Sequence, residues 1–246
     1  MMKGATDVRM NSKHLELVAC GHQIEFLCHK EDLGVMPAPR LATKFFPSWF
    51  KTLEEKIPSG AASTVKRCMP FLDSMALGFI IPLAADVEFT SNEDGSEITY
   101  TSDFHRSLVE RHDTAQINGE KHPDSPAPPL KFMNYWAIKV PAGYSVLFIP
   151  PLNRADRRFE CFSGLVDCDG YFEFINFPFI FYERNYVGVV KAGTPLVQVI
   201  PIKRSDILKQ HAVCGMGDED LQLLQATREK RRAYVSDYRD NVRGAR

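Results

Sequence analysis

Five polar side chains in separate parts of the chain are the strongest candidates for a ligand site. They are Lys66, Arg67, Asp73, Asn153 and Asp167. The two cations suit an anionic ligand, and a carboxylate among them suits proton transfer. They can act together only if a helical insert meets the strands and brings them within about 12 Å of one another. The hypothesis of a ligand site depends on that convergence.

Two further groups have the chemistry for proton transfer or nucleophilic attack. Glu160, Asp167, Asp169 and Glu173 bracket one turn, where a carboxylate can be a general base or can satisfy the backbone of an Asx turn. Cys68 follows two cations that would lower the pKa of a thiol, but no histidine lies near it in sequence. For both groups we favour the structural role.

The sequence contains none of the common motifs that position a nucleophile or a phosphate. GxSxG, GxxxxGK[ST], HExxH and a GxGxxG that opens a helix are all missing. We therefore predict no catalytic set and no cofactor. Whether the protein is an enzyme stays open at this point, and a non-catalytic role is favoured.

Metal binding is not predicted either. Cys20, His22, Cys28 and His29 lie within ten residues of one another, which raises the possibility of zinc. Adjacent residues of a strand point to opposite faces, and no second pair completes a tetrahedral set. Residues 136–202, where the strands are densest, contain no histidine for a jelly-roll metal site of the cupin kind.

Composition narrows the class of protein further. The chain has 246 residues, and 44% of them are hydrophobic, which is enough to build a substantial core. Lys and Arg number 30 against 31 Asp and Glu, so net charge gives no reason to expect binding to nucleic acid or to an anionic membrane. No apolar run approaches the roughly 20 residues of a membrane span. Without a signal-peptide pattern and with scattered cysteines, we expect a cytoplasmic protein with reduced thiols.

Residues 136–203 carry the clearest fold signal. Runs rich in Val, Ile, Phe and Tyr are interrupted about every ten residues by Pro, Gly and Asn, which is typical of consecutive strands and tight turns. We predict a mainly β (α+β) fold, a jelly roll or rolled β-sandwich with short inserted helices and a C-terminal α-helix. The expected parts are an opening hairpin at 14–28, a helical insert at 38–77 with helices at 48–56 and 70–77, an exposed hairpin at 86–101, a surface loop at 105–130, a single domain over 1–205, and a linker and helix at 206–246.

The C-terminal helix is the best candidate for a contact with another macromolecule. Asp218 is a plausible N-cap, acids crowd the first turn and bases the last, as the helix dipole favours. We consider a solvated helix whose tyrosines pack on the strands, a partner-docking arm, and, least favoured, nucleic-acid contact. The candidates for partner binding are Arg228, Arg231, Arg232, Tyr234 and Tyr238.

One local pattern is similar to the dUTPase and dCTP deaminase superfamily. Asp167, Tyr171 and Asn176, followed by Gly193 and Gln198, match that superfamily's turn and its later strand. The resemblance covers about a quarter of the chain and implies a shared roll-like strand order. The Arg-Ser-Ser phosphate segment of the superfamily is missing, which counts against nucleotide hydrolysis.

A second pattern spans nearly the whole chain. Its motifs begin at Pro37, Pro47, Lys66, Gly78, Pro141, Pro150, Gly164 and Gly193. In the order of these motifs, the sequence resembles a family of uncharacterised proteins of bacteria and tailed phages. The resemblance implies a jelly-roll-like core and a phage or bacterial origin, but no mechanism.

From these observations we expect a non-catalytic, phage-type protein that acts through its surface. It would be a virion structural component or a protein-binding factor, with protein partners or other copies of itself, in the host cytoplasm or in a virion. The alternative is a small-molecule or nucleotide-binding enzyme of the dUTPase-like class, with its pocket where the insert meets the strands.

Overall fold

The computed structural model describes residues 23–57, 63–112, 127–154, 156–234 and 236–244. These residues form a mainly β protein, which confirms the predicted fold class. Its strands are short because prolines, glycines and asparagines interrupt the apolar runs. In chain order they are β1 (Glu25–Leu27), β2 (Arg40–Leu41), β3 (Phe79–Pro82), β4 (Val87–Ser91), β5 (Ile98–Thr101), β6 (Val109–Arg111), β7 (Leu130–Phe132), β8 (Ala137–Lys139), β9 (Tyr144–Ile149), β10 (Phe159–Cys161), β11 (Gly164–Val166), β12 (Phe177–Phe181), β13 (Val187–Val190) and β14 (Pro195–Lys203).

Within the described residues the strands form four antiparallel sheets. The largest has the order β11-β9-β14-β3-β2, and β14 runs along both β9 and β3 because it is the longest strand. A four-stranded sheet has the order β10-β12-β7-β6, a three-stranded sheet the order β13-β4-β5, and β1 pairs with β8. β4 and β5 form the hairpin predicted for residues 86–101, but Val87, Phe89 and Ile98 are buried, so the hairpin is part of the core and not exposed as predicted.

Phenylalanines join these sheets into one core. Phe132 of β7 stacks on Phe179 of β12 with ring centroids 3.9 Å apart. Phe89 of β4 stacks on Phe181 of β12 at 4.8 Å, which ties the three-stranded sheet to the four-stranded one. The largest sheet joins through β9, where Phe148 contacts Phe177 at 5.6 Å. Each large buried aromatic ring contributes several kilocalories per mole, so these contacts hold the sandwich together.

Three α-helices accompany the strands: α1 (Ser48–Thr52), α2 (Met69–Ala76) and α3 (Asp218–Ala233). The prediction for α2 is close, whereas α1 is shorter than predicted because Leu53 already has extended backbone angles. Gly217, not Asp218, is the N-cap of α3, and its amide N–H donates to the Asp220 carboxylate. None of the described helices has the length and apolar character that crossing a membrane requires.

The predicted surface loop at 105–130 is wrong in part. β6 lies inside it and pairs with β7, and both Leu108 and Val109 are buried in the core. Two apolar residues flanked by charged ones give too short a signal to reveal an edge strand from sequence. In the predicted opening hairpin, residues 14–22 lie outside the described part of the chain, and among the described strands β1 pairs with β8.

Gly78 makes the sharp junction between α2 and β3. Its φ is +67°, a left-handed conformation that favours glycine. A Cβ at this position would collide with the carbonyl oxygen of Val199 in β14. Because only glycine permits this approach, α2 can pack directly against the largest sheet.

Candidate functional site

The structure places Lys66 at the end of α1. Its Nζ donates hydrogen bonds to the carbonyl oxygens of Lys51 and Leu53, at 3.0 and 2.8 Å. A cation at the carboxyl end of a helix satisfies carbonyl groups that have no partner inside the helix. Lys66 is therefore occupied with holding α1 in place.

Arg67 and Asp73 both face the end of the chain. The Nη2 of Arg67 donates to the hydroxyl of Ser236 at 3.2 Å. Asp73, on α2 and only 4% exposed, accepts from Arg243 in a two-pronged contact with N–O distances of 2.6, 3.0 and 3.2 Å. This hydrogen-bonded ion pair raises the pKa of Arg243. We call the contact between Asp73 and Arg243 the latch.

Asn153 belongs to a structural joint at the carboxyl end of α2. It has a φ of +56° and donates from Nδ2 to the hydroxyl of Ser74 at 2.9 Å. Fully buried Gln198 of β14 donates to the carbonyls of Ser74 and Leu77, at 2.9 and 2.6 Å, and accepts from the Leu152 amide at 3.0 Å. These bonds satisfy backbone groups that would otherwise be unpaired where helix, turn and strand meet.

Arg154 completes the same joint, and the sequence analysis did not identify it. Its guanidinium donates to the carbonyls of Ala42 and Met75, and burial lowers its pKa to about 10. Its guanidinium carbon also lies 5.9 Å from the centroid of the Phe46 ring. No sequence motif signals this role, because its partners are backbone groups far away in the chain.

Asp167 lies at the opposite end of β9 from the joint. It accepts from the hydroxyl of Ser145 at 2.6 Å, near the start of that strand, whereas Asn153 follows its end. Three residues of strand lie between Ser145 and Ile149, whose Cα atoms are about 13 Å apart. The contacts of Asp167 and Asn153 therefore lie toward opposite ends of β9, and the convergence of the five candidates in one pocket stays a prediction.

The acidic turn is held by an ion pair. Asp169 contacts Arg204 at 2.5 Å and accepts from the Gly143 amide at 2.8 Å. The hydrogen bond from Arg204 is the main reason that the pKa of Asp169 lies below its usual value. A general base at neutral pH needs a raised pKa, so Asp169 does not suit that role.

A second buried carboxylate ties two distant segments together. Asp32 is fully buried and pairs with Arg106 and with Nε2 of His105, the latter at 3.1 Å. Arg106 also lies 4.2 Å from the centroid of the Tyr135 ring. A buried charge is tolerated only when it is paired in this way. The contact fixes the start of the predicted 105–130 loop to the body of the protein.

Two open clefts in the described part of the chain are lined by none of the five candidates. A hollow of about 460 Å³ is lined by Asp86, Asp103 and Lys191 among others. Another of about 290 Å³ lies between Cys28, His29 and Phe174. Among the described residues no group of three or more His, Cys, Asp or Glu side chains could hold a metal ion, while Cys20 and His22 lie outside them.

The most distinctive surface is the C-terminal arm, which we define as residues 205–234 and 236–244. Every residue from 205 to 234 is exposed except Leu224, which is partly buried. Large apolar side chains are among them. Leu208 and Val213 are more than 90% exposed, and Met216, Leu221 and Leu223 are more than half exposed. Five large exposed apolar side chains therefore lie within residues 208–223 of the arm.

The partner candidates all lie on this arm, but not on one continuous helix as predicted. Arg228, Arg231 and Arg232 are exposed on α3, which ends at Ala233. Tyr234 has extended backbone angles, so it and Tyr238 are not one turn apart on a helix face. Instead, the Tyr234 hydroxyl donates to Asp240 at 2.5 Å.

Asp240 organises the segment that follows α3. Hydrogen bonds from Arg239 and then from Tyr234 lower its pKa to about 2, so it stays charged at neutral pH. The charge of Glu55 also helps to raise the pKa of the neighbouring Arg239, and the charge of Arg67 helps to lower the pKa of Asp240. The end of the arm contacts the helical insert through the Ser236–Arg67 and Arg243–Asp73 hydrogen bonds.

Fold and contacts together define a mainly β protein with an exposed, latched helical arm. No protein-family model matches the sequence, and no curated protein matches it. The relationship to the family of bacterial and tailed-phage proteins stays a prediction from its motifs. What the protein does must be inferred from its own geometry.

Proposed function

We propose that the protein is non-catalytic and works by binding protein chains through its C-terminal arm. The observation that carries the proposal is the exposure of α3 and of the segment before it. A soluble helix usually buries an apolar stripe, and most of its stability comes from that burial. No residue of α3 is buried, although Leu221 and Leu223 are available for burial.

The energy available from such a contact is substantial. Covering a fully exposed leucine or valine side chain contributes about 1.5–3 kcal/mol. Leu208, Val213 and Leu223 each have more than two thirds of their surface in water. Burying these three side chains would contribute several kilocalories per mole toward an interface, before the cost of association is subtracted.

The latch gives the arm a defined position. Arg243 is anchored at Asp73, so the segment that follows α3 is held on the body of the protein while the sides of α3 face water. A helix presented in this way loses less conformational freedom on binding than a free tail would. This supports recognition by the arm as a unit.

Two biological roles fit the proposal: a structural component of a virion and a protein-binding factor in a host cell. The resemblance to tailed-phage proteins favours the first. The small-molecule alternative has less support, because Lys66, Asp73 and Asn153 are each already bonded to other groups of the protein. We therefore place the function on the surface of the arm.

The test compares an arm variant with a matched body variant. Leu221→Gln combined with Leu223→Gln removes apolar surface but keeps helix propensity. Val187→Thr does the same on β13, where Val187 is 83% exposed, and keeps strand propensity. The readouts are native mass of the purified chain and mass spectrometry of proteins that co-purify with it from the cells or particles that contain it.

We expect wild type and Val187→Thr to form the same higher-mass species or retain the same partner, and the arm double variant to lose it. A wild-type chain that stays monomeric and retains no partner would overturn the proposal. So would an arm double variant that binds as wild type does. Circular dichroism confirms that all three proteins are folded.

A further inference from the structure

The latch joins residues that are far apart in the chain. Asp73 and Arg243 are separated by 170 positions, and Asp73 is almost entirely buried in the docked state. A buried carboxylate without a cation is strongly destabilising. The surface around Asp73 and Arg67 is therefore a receptor that selects an arginine-bearing segment with a serine seven residues before it.

The segment between β14 and α3 is not fixed by packing against the body of the protein. All 13 residues from 205 to 217 are exposed. A chain of this length spans up to about 45 Å when extended. Because no side chain in it is buried, the arm can follow another route without disturbing the core of the body.

The charges of α3 favour one particular neighbour. Its first turn carries Asp218, Glu219 and Asp220, and its last turn carries Lys230, Arg231 and Arg232. Two copies side by side and antiparallel place each acidic end next to a basic end, whereas a parallel pair places like charges together. Leu221 and Leu224, three positions apart, lie on the same face of the helix and can be covered in the pair.

We infer that two copies of this chain exchange their C-terminal arms. The arm of each copy docks its Arg243 on Asp73 of the other, and the two α3 helices pair antiparallel. The inference rests on the proposed function and names its partner as a second copy. Exchange reuses the same latch between chains, so the additional gain is the covered surface of α3, set against the cost of association.

Charge reversal distinguishes exchange from docking within one chain. We expect wild type to be a dimer by native mass spectrometry and analytical ultracentrifugation. Asp73→Arg or Arg243→Asp alone should weaken that dimer at least about thirtyfold, because each places two like charges against each other at the latch. An equimolar mixture of the two single variants should recover a dimer with one copy of each, since one of its two exchanged latches then pairs the unchanged Asp73 with the unchanged Arg243 and the other pairs the two reversed charges.

The double variant, Asp73→Arg with Arg243→Asp, should dimerise as wild type does. Suppose that the double variant dimerises as wild type does, whereas the mixture of single variants dimerises no better than either single variant alone. The latch then forms within one chain, and exchange is overturned. If the single variants dimerise with unchanged affinity, exchange is overturned in favour of α3 pairing alone. A wild-type chain that is monomeric at every concentration tested also overturns exchange, while co-purification of another protein would still support the proposed function.

A second measurement avoids the risk that Asp73→Arg fails to fold. Arg243→Lys keeps the charge and supplies a primary amine, which a carbodiimide can join covalently to the Asp73 carboxylate. The variant is prepared in natural-abundance and nitrogen-15 forms, and the two forms are unfolded and refolded together. Exchange predicts cross-linked peptides that combine both isotopes, and docking within one chain predicts only single-isotope peptides.

Discussion

The body of the protein and its C-terminal arm are held in place by different forces. In the body, rings such as Phe132 and Phe179 are fully buried, and several sheets meet in one core. In the arm, from residue 205 to residue 234, exposure is the rule. The contrast shows that one chain can combine a region stabilised by burial with a region positioned by charge.

The helix of the arm has its own local stabilisation. The Asp220 carboxylate accepts from the Gly217 amide at 2.9 Å, and Gln225 donates to Glu229 one turn later at 3.0 Å. Acids at the start and bases at the end complement the helix dipole. Such contacts contribute tenths of a kilocalorie per mole each, which is little for a helix that buries no residue. The weakness of this local stabilisation favours a helix that is covered by a partner.

The largest expected difference between the two regions is in thiol reactivity. Burial raises the pKa of both core thiols, Cys161 far above its usual range and Cys168 to about 11. Cys68 and Cys214 are exposed. Core thiols should react with iodoacetamide more than about a thousandfold more slowly than Cys214, because they require opening of the core.

Peptide mapping of alkylated protein over time measures these rates residue by residue. In denaturant, where burial is lost, all the thiols should react at similar rates, which serves as the control. Comparable native rates for Cys161 and Cys214 would show that the core is not closed.

The next largest difference is in stability. Phe179→Ala should lower the free energy of unfolding by about 3–5 kcal/mol, since it removes a ring that stacks on Phe132 and leaves a cavity. Leu223→Ala, in the arm, should change it by less than about 0.5 kcal/mol in the monomer. Urea unfolding followed by fluorescence gives both values, and equal losses would contradict the division between body and arm.

The smallest expected effect concerns the ion pair at the base of the arm. The pKa of Asp169 is lowered, chiefly by Arg204, so the stabilisation is complete above the usual aspartate pKa of about 4 and is lost as the pH falls through the lowered value. Arg204 is partly exposed, so solvent screening keeps the contribution of this ion pair small.

Unfolding free energies measured at several pH values test this effect. The stability advantage of wild type over Asp169→Asn should shrink between about pH 5 and pH 2. Glu93→Gln, in the exposed turn between β4 and β5, is the control. An advantage that does not depend on pH would rule out the ion pair as its source.

Much of the fold could be predicted from sequence because its signals are local. The alternation of Val87, Phe89 and Ser91 with exposed residues marks β4, and a polar turn marks the hairpin. β6 was not predicted, because its apolar signal consists of Leu108 and Val109 alone. The end of α3 at Ala233 was also not predicted, although Tyr234 and Ser236 have lower helix propensity than the lysine and arginines before them.

The candidate site was harder to predict because its contacts are long-range. Asp73 was selected for its charge, but its partner, 170 residues away, could not be inferred from spacing. Gln198 and Arg154 act on backbone groups, which leave no trace in side-chain motifs. The arm was selected for its charge pattern, whereas its exposure became evident only with the fold.

The junction at Gly78 has an evolutionary consequence. Every single-nucleotide change in a glycine codon that alters the amino acid introduces a side chain or a stop, and any side chain here meets the main chain of Val199. Selection should therefore remove substitutions at this codon more strictly than at other positions of the insert. Among diverged descendants of this gene, Gly78 should outlast every residue of the arm.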